Sequence, residues 1–403
     1  MIRVDVAIIG GGLAGMLAAV RLGNEGKRVA IIDQNLIESH GSLGGFASFS
    51  GAKFSLPPAG LGLLSVVDGL ETLNAKICHV LQVLELDRHP RLASTEHSSD
   101  GEIELGTGTV LRRYESLLLS PDEISDLVAR LATRVSEKCT VVQGLASSLQ
   151  QVESDWNVKV EAASSSDSHD IRASAVFFAG GRAASDLLLS AGALPFSGKG
   201  LDVGVRFEFL NRAGVNGLRA LGADAKIIRE RCRTFCLNSP GTIYRYPFKD
   251  ISIPGGVVAI EPEQKANFGV LLRIDDKQRN LTEIVDKAAS FWSAILASGD
   301  EIHNGVPFDA LASLLSKVWG REITLELEDF CRTLEKLELV DWSSPYRVHS
   351  PLIDWHWHTF SGPGSHITSL PHVYALGDAS GHARGLLQAA LSGWIAAEEF
   401  LNA

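Results

Sequence analysis

Six residues near the start of the chain, Gly10-Gly11-Gly12-Leu13-Ala14-Gly15, have the types and spacing that let a backbone close around a phosphate. In G-x-G-x-x-G the first glycine, Gly10, permits a tight turn, and the second, Gly12, leaves out a side chain where a pyrophosphate must approach. The third, Gly15, lets a helix pack closely on a strand. The context agrees: residues 3–9, RVDVAII, form a β-branched apolar run, and MLAAVRLGNEGK repeats apolar residues at helical spacing through Leu17, Ala18 and Leu22. Arg28 to Ile32 then reads as a second strand. In such a βαβ unit the helix N-terminus turns its free amides and positive dipole end toward the phosphates. Asp33, about 20 residues beyond the glycines, is placed to accept hydrogen bonds from ribose hydroxyls, and a carboxylate there repels a 2′-phosphate. The fingerprint does not by itself separate one dinucleotide from another.

The distinguishing residues lie at the far end. Pro371 to Asp378, PHVYALGD, is a short apolar strand ending in Gly377-Asp378, and Leu386 to Leu401 reads as an alanine-rich helix whose N-terminal amides can stabilise an anion. Gly381 and Gly385 flank the helix start and allow close backbone approach, while Arg384 pairs either with a phosphate or anionic substrate or with a surface carboxylate. A third strand, Ala175 to Phe178, runs into Ala179-Gly180-Gly181. Three strand-to-glycine elements in this order resemble flavoproteins of the glutathione-reductase structural type, and the resemblance implies FAD. It puts Asp378 at the ribityl and pyrophosphate portion and the helix from Leu386 toward the flavin pyrimidine. The cofactor contacts it implies are Gly10, Gly12, Leu13, Ala14, Gly15, Asp33, Gln34, Gly44, Gly45, Ser50, Ala179, Gly180, Gly181, Gly377, Asp378, Gly385, Leu386 and Leu387.

Two further stretches, Gly44 to Phe54 (GGFASFSGAKF) and DVGVR at 202–206 with RTFCLN at 233–238, extend the likeness. With GDASGHARGLLQAALSG they resemble, along most of the chain, a poorly characterised family of FAD-dependent dehydrogenases related to the fumarate-reductase and glutathione-reductase types. That resemblance implies a bound FAD and an unspecified redox substrate. Members often carry an extra N-terminal domain, whereas this chain begins at the nucleotide fold. The glycine- and serine-rich loop is placed to pass near the flavin, with Lys53 either close to N1 and O2 or facing solvent.

From about Ser185 to Val348 the pattern changes to short runs alternating in polarity, such as DVGVRFEFL and FGVLLRI, with amphipathic helices at Leu281–Leu296 and Leu325–Leu337. The expected class is therefore α/β: a Rossmann-like FAD-binding domain with a parallel sheet, residues 1–184 and 349–403, and an inserted, largely antiparallel substrate or cap domain, residues 185–348. A pocket between them would hold a small-molecule substrate. Catalytic candidates are Lys53, Arg206, Arg233, Tyr244 and His358. Each arginine binds an anionic substrate, lies on a solvated face or makes an ion pair, and Tyr244 or Tyr246 donates a proton or packs. His356 and His358 project to one side if residues 354–358 are extended, but two histidines without a third ligand do not make a metal site. Cys232 and Cys236, four apart, are a redox pair or two ordinary thiols.

Composition narrows the function. A formal net charge of −11 over 403 residues argues against a nucleic-acid or anionic-membrane surface. There is no run of about 18 apolar residues and no secretory leader, so the expectation is a cytoplasmic protein. Five scattered cysteines suit a reducing compartment. With one glycine fingerprint there is no dedicated nicotinamide domain, and the electron partner, NAD(P)H or a redox protein, must reach the flavin by the pocket. The leading function is hydride transfer between flavin N5 and a small organic substrate. The alternatives are an oxidase or monooxygenase and a non-catalytic flavin-binding sensor or scaffold.

Overall fold

The computed structural model describes residues 1–34, 43–89, 102–162, 168–182, 185–196, 200–248, 251–274, 283–284, 286–290, 293 and 308–403. In chain order its strands are β1 (Ile2–Ile9), β2 (Val29–Asp33), β3 (Lys53–Ser55), β4 (Ile103–Gly106), β5 (Thr109–Arg112), β6 (Ser116–Leu118), β7 (Thr140–Gln143), β8 (Leu145–Val152), β9 (Asp155–Glu161), β10 (Ser168–Phe178), β11 (Leu201–Phe209), β12 (Lys226–Arg229), β13 (Cys232–Asn238), β14 (Gly241–Phe248), β15 (Ile251–Val258), β16 (Ala266–Ile274), β17 (Tyr346–Asp354) and β18 (Val373–Ala375). The longer helices are α1 (Leu13–Asn24), α2 (Gly69–Val83), α3 (Pro121–Lys138), α4 (Phe308–Trp319), α5 (Arg321–Lys336) and α6 (Leu386–Asn402).

One sheet runs β7-β2-β1-β10-β9-β8, with β18 also on β10. Its β7, β2, β1, β10 and β18 are mutually parallel, as continuous apolar runs such as Val6–Ile9 require when both faces are buried. On one face lie α1, α3 and α6; the other face carries Val4, Ala7, Ile9, Trp156 and Phe178. Helix α3 is fixed at its start by a capping box, the Ser120 hydroxyl accepting from Glu123 N–H while the Glu123 side chain accepts from Ser120 N–H. Helix α6 lies so close to α1 that a Cβ on Gly393 would overlap Ala14 O. This is the α/β architecture with a parallel sheet that the sequence implied.

The second sheet is antiparallel, β17-β11-β16-β13-β12-β5-β4. The chain enters it twice before residue 184, through β4 and β5, and again through β17, whose last six residues lie beyond 348. Its apolar face, including Val203, Val205, Phe207 and Phe268, packs with α4 and α5. The ribbon β14-β15 lies against its other face. Helix α5 starts four residues earlier than the sequence pattern placed it. Only residues 283–284, 286–290 and 293 of the expected 281–296 helix are described, and all are helical.

The polar alternation of β11 reads in sequence as a half-solvated strand, yet all nine of its residues are buried. It lies between β17 and β16, and its polar side faces other charged groups rather than water. Among the described residues no helix is long and apolar enough to cross a membrane.

Candidate functional site

Four segments meet around Gly12. Gly10 has φ of 106°, and a Cβ there would overlap Ala179 O at the end of β10. Gly12 and Gly44 form a parallel bridge, and Gly12 Cα stands 3.1 Å from where a Gly45 Cβ would be. A Cβ on Gly377 would lie 3.4 Å from Ala14 Cβ, and Gly377 N–H donates to Ser392 Oγ of α6 at 2.9 Å. A Cβ on Gly15 would fall on Gly10 O, so strand and helix pack too closely there for any side chain. Residues separated by more than 360 positions thus share one corner because β1, β10 and β18 end together.

This corner fits a dinucleotide. Among the described residues nothing lies within 4 Å of the Cβ positions of Gly12 and Gly181, leaving room at both. Helix α1 has no side-chain cap and no acidic residue in its first turn, so its leading amides and dipole are available to a phosphate. Helix α6, capped by Gly385 at φ of 112°, has the same two properties. Gly11 N–H donates to Asp33 Oδ2 at 2.6 Å, which fixes that carboxylate at the end of β2 beside the glycine turn.

The side chains of Leu13, Ala14 and Leu387 are in the core, so only their backbones could face a ligand. Leu386 and Gln34 are half-buried. Ser50 holds its own loop together, donating to Ala47 O at 2.7 Å and accepting from Ala52 N–H at 3.0 Å.

Beside this corner a second, charged cluster joins the two sheets. Arg182, directly after Gly181, donates through Nε to Asp378 at 2.8 Å and lies 3.9 Å from Asp354 at the end of β17. Arg384, just before α6, pairs with Asp354 at 2.5 Å. Arg233 on β13 pairs with Asp202 at 2.5 Å and reaches Asp354 at 3.6 Å; Arg273 also pairs with Asp202. Aromatic faces lie beneath the guanidiniums: Arg384 is 4.8 Å from the Trp355 centroid, Arg182 4.8 Å from Trp357, and Arg233 5.3 Å from Phe235. Arg182, Arg233, Arg273 and Arg384 set four positive charges against the three of Asp202, Asp354 and Asp378, and Arg206 behind them adds a fifth cation.

Burial and charge set the protonation states. Burial works against the Asp354 carboxylate, but Arg384, Arg182 and Arg233 outweigh it and hold its pKa below the usual carboxylate range. Burial also disfavours the Arg182 cation, and Asp378, Tyr246 and Asp354 reverse that, so its pKa is raised. His356 is pushed down to about 3 by burial and then by Arg182, and is neutral at ordinary pH. Its ring lies 3.8 Å from Phe248, and neither nitrogen has a hydrogen-bond partner among the described residues. Tyr246, which accepts from Arg182 Nη1 at 3.4 Å, has its pKa raised by burial and keeps its proton.

The structure places the expected catalytic residues unevenly. Arg233 is in the charged cluster. Arg206 is not on a solvated face: it is 1% exposed, and its Nη1 donates to Asn267 Oδ1 at 2.7 Å and Cys236 O at 3.2 Å. Lys53 is not free in solvent, and among the described residues it meets no carboxylate: its Nζ donates to Ala223 O at 2.6 Å and to Leu237 O. Tyr244 packs against Phe49, ring centroids 5.0 Å apart.

The expected common side for His356 and His358 does not form. Strand β17 stops at Asp354, Trp355 takes φ of 59°, and His356 is buried while His358 is exposed. Cys232 and Cys236 do not pair either. Cys236 lies in a bulge of β13 while Cys232 is on its regular part, and Cys232 Sγ lies 3.7 Å from Glu326 O of α5. Sequence reading missed Arg182, Asp354 and Trp357. A cation directly after Ala179-Gly180-Gly181 was the signal available for Arg182; Asp354 lies in the stretch 354–358, which stands out for its histidines, with nothing to mark the carboxylate itself.

Residues 5–57 match the family described as FAD binding domain, FAD_binding_2. No curated protein matches the chain in sequence. Among solved structures, a geranylgeranyl bacteriochlorophyll reductase-like protein from Thermoplasma acidophilum is similar at 15% identity and TM-score 0.46, over 99% of this chain and 78% of that one. The OxyS anhydrotetracycline hydroxylase from Streptomyces rimosus is similar at 13% identity and TM-score 0.44, over 100% of this chain and 63% of that one. The p-nitrophenol 4-monooxygenase PnpA from Pseudomonas putida DLL-E4 is similar at 14% identity and TM-score 0.40, over 100% and 80%. The chain thus spans less than two thirds of the hydroxylase.

Proposed function

We propose, from the FAD-binding domain that begins the chain, that the protein is an FAD-dependent oxidoreductase acting on a small organic anion held at the seam between the two sheets. The supporting observation is the surplus of guanidinium over carboxylate there. Three of its cations, Arg182, Arg233 and Arg384, have side chains between 20% and 31% exposed, so a ligand can reach them.

FAD supplies hydride acceptance or donation at N5 when bound. The chain would hold it with the glycine turn at Gly10–Gly15, Asp33, Gly44–Gly45, Ala179–Gly181, Gly377–Asp378 and the start of α6. Asp354 keeps Arg384 and Arg233 in fixed positions, so a substrate carboxylate meets donors that need no reordering. The half-buried Phe235 and Trp355, which lie under Arg233 and Arg384, add apolar ring edges at the same seam for the rest of the substrate. The neutral Tyr246 hydroxyl, held by Arg182, is a proton source at the same seam.

The test uses FAD-loaded protein under anaerobic conditions. Benzoate is expected to perturb the visible flavin spectrum and benzamide, its neutral counterpart, is not, and Arg233→Met is expected to weaken benzoate binding about tenfold or more. Equal effects of the two probes would remove the anion assignment. Bleaching by NADH or NADPH identifies a direct donor, and peroxide release in air separates an oxidase from a dehydrogenase.

A further inference from the structure

Cys236 sits where the second sheet is interrupted. Strands β13 and β16 pair from Cys232 to Phe235 and again at Asn238, and in the intervening bulge Cys236 takes φ of 46°. A non-glycine residue in that left-handed region costs about 1 kcal/mol or more, so the surrounding contacts must hold it there. The bulge turns the thiol toward the loop after the glycine corner, where Sγ is 3.6 Å from the position a Gly51 Cβ would take.

Two cations act on this thiol, and neither meets a carboxylate within ion-pair distance among the described residues. Arg206 ends on Cys236 O and Asn267 Oδ1, and Lys53 on Ala223 O and Leu237 O. Arginine does not shed its proton, and a buried cation without an anion is costly. The nearby acid from the loop before β12, Asp224, already accepts from Ser55 Oγ at 2.5 Å and Ser116 Oγ at 3.2 Å. Asp354 is taken up by Arg384.

Burial works against the Cys236 thiolate, but Lys53 and Arg206 together outweigh it. Asp224 opposes them, Asn238 assists, and the net direction is a lowered pKa. Two polar atoms of the residues around it have no partner among the described residues: Arg206 Nε, in a residue 1% exposed whose Nη1 ends on Cys236 O, and Oδ1 of Asn238, 3% exposed, whose Nδ2 stands 3.8 Å from Sγ.

We propose that Cys236 is a thiolate that reacts with small hydroperoxides, with Arg206 and Lys53 as its counter-cations and Asn238 as an acceptor for the hydroperoxide O–H. In the reaction with hydrogen peroxide the Sγ lone pair attacks one oxygen, the S–O bond forms as the O–O bond breaks, and the other oxygen departs as hydroxide. Sulfur is oxidised by two electrons to the sulfenic acid and the peroxide is reduced. Arg206 Nε–H is the donor available to the departing oxygen. Cys232, on the regular part of β13 with its Sγ 3.7 Å from Glu326 O and its pKa pushed up to about 12 by burial, is not built to resolve the product.

The assignment is independent of the anionic-substrate reading and is tested without turnover. Thiolate ultraviolet absorbance of the holoprotein is followed against pH for wild type and Cys236→Ser, and the difference is expected to be present at neutral pH. After brief exposure to hydrogen peroxide with dimedone, peptide mass spectrometry is expected to find the adduct on Cys236 ahead of Cys78, the exposed thiol. Lys53→Met is expected to move the thiolate titration up by about one unit, a tenfold change in ionisation. A wild-type minus Cys236→Ser difference absent at neutral pH, or dimedone labelling of Cys236 no greater than that of Cys78, overturns the proposal.

Discussion

The glycine corner and the charged seam lie side by side, yet they are built in opposite ways. The corner is specified locally: Gly10, Gly12 and Gly15 are fixed by one turn between β1 and α1, and the distant segments add only small residues that let backbones approach. The seam is specified globally. Arg182, Asp202, Arg233, Asp354, Asp378 and Arg384 come from six places and acquire meaning only once the two sheets meet. A backbone cradle tolerates change where space is open and fails where it is filled, whereas a charge cluster fails when its central anion is lost.

The largest expected effect tests the seam. Asp354→Asn leaves Arg384 and Arg233 without their shared carboxylate and is expected to cost about 3–5 kcal/mol, read by denaturant unfolding. A loss near zero would mean the arginines are solvated independently. The corner is tested next by a pair of substitutions. Gly15→Ala drives a Cβ onto Gly10 O and is expected to destabilise the FAD-free protein by about 2–3 kcal/mol. Gly12→Ala meets open space at φ of −71°. It is expected to leave FAD-free stability within about 0.5 kcal/mol while weakening FAD binding about tenfold or more, about 1.4 kcal/mol. If both variants behave alike in thermal melts, the distinction between filled and open glycine positions is wrong.

A smaller effect concerns acid. The folded-state pKa of His356, about 3, is below its ordinary 6.5, so below pH 6.5 the unfolded chain takes up a proton that the native protein refuses. Stability from this residue is complete above that range and is lost as pH falls from 6.5 toward about 3. His356→Phe is expected to flatten the stability profile in that window. The least effect is expected at exposed His358, where substitution by alanine should change stability by no more than about 0.5 kcal/mol.

The same contrast explains what the sequence discloses. A turn whose geometry demands glycine leaves a spaced pattern, so the nucleotide unit, its parallel sheet and the return strand β18 are legible from residues 3–33 and 371–378. The polar face of β11 misleads because alternation reports two different faces without saying what covers each. Water covers a polar face in most half-buried strands, but here Arg233, Arg273 and Asn267 do. His358 looks like a partner of His356 only while residues 354–358 are taken as extended, and the left-handed Trp355 breaks that register. Arg182 and Asp354 stand out as parts of a cluster only through each other.

The central claim, that the corner around Gly12 holds FAD, is tested most directly by the visible spectrum of the purified protein and of the supernatant after denaturation. Flavin absorbance in the native protein, with FAD released in about one equivalent per chain by wild type and much less by Gly12→Ala, is the expected result. A protein that carries no flavin and takes up none on reconstitution with FAD would contradict the account.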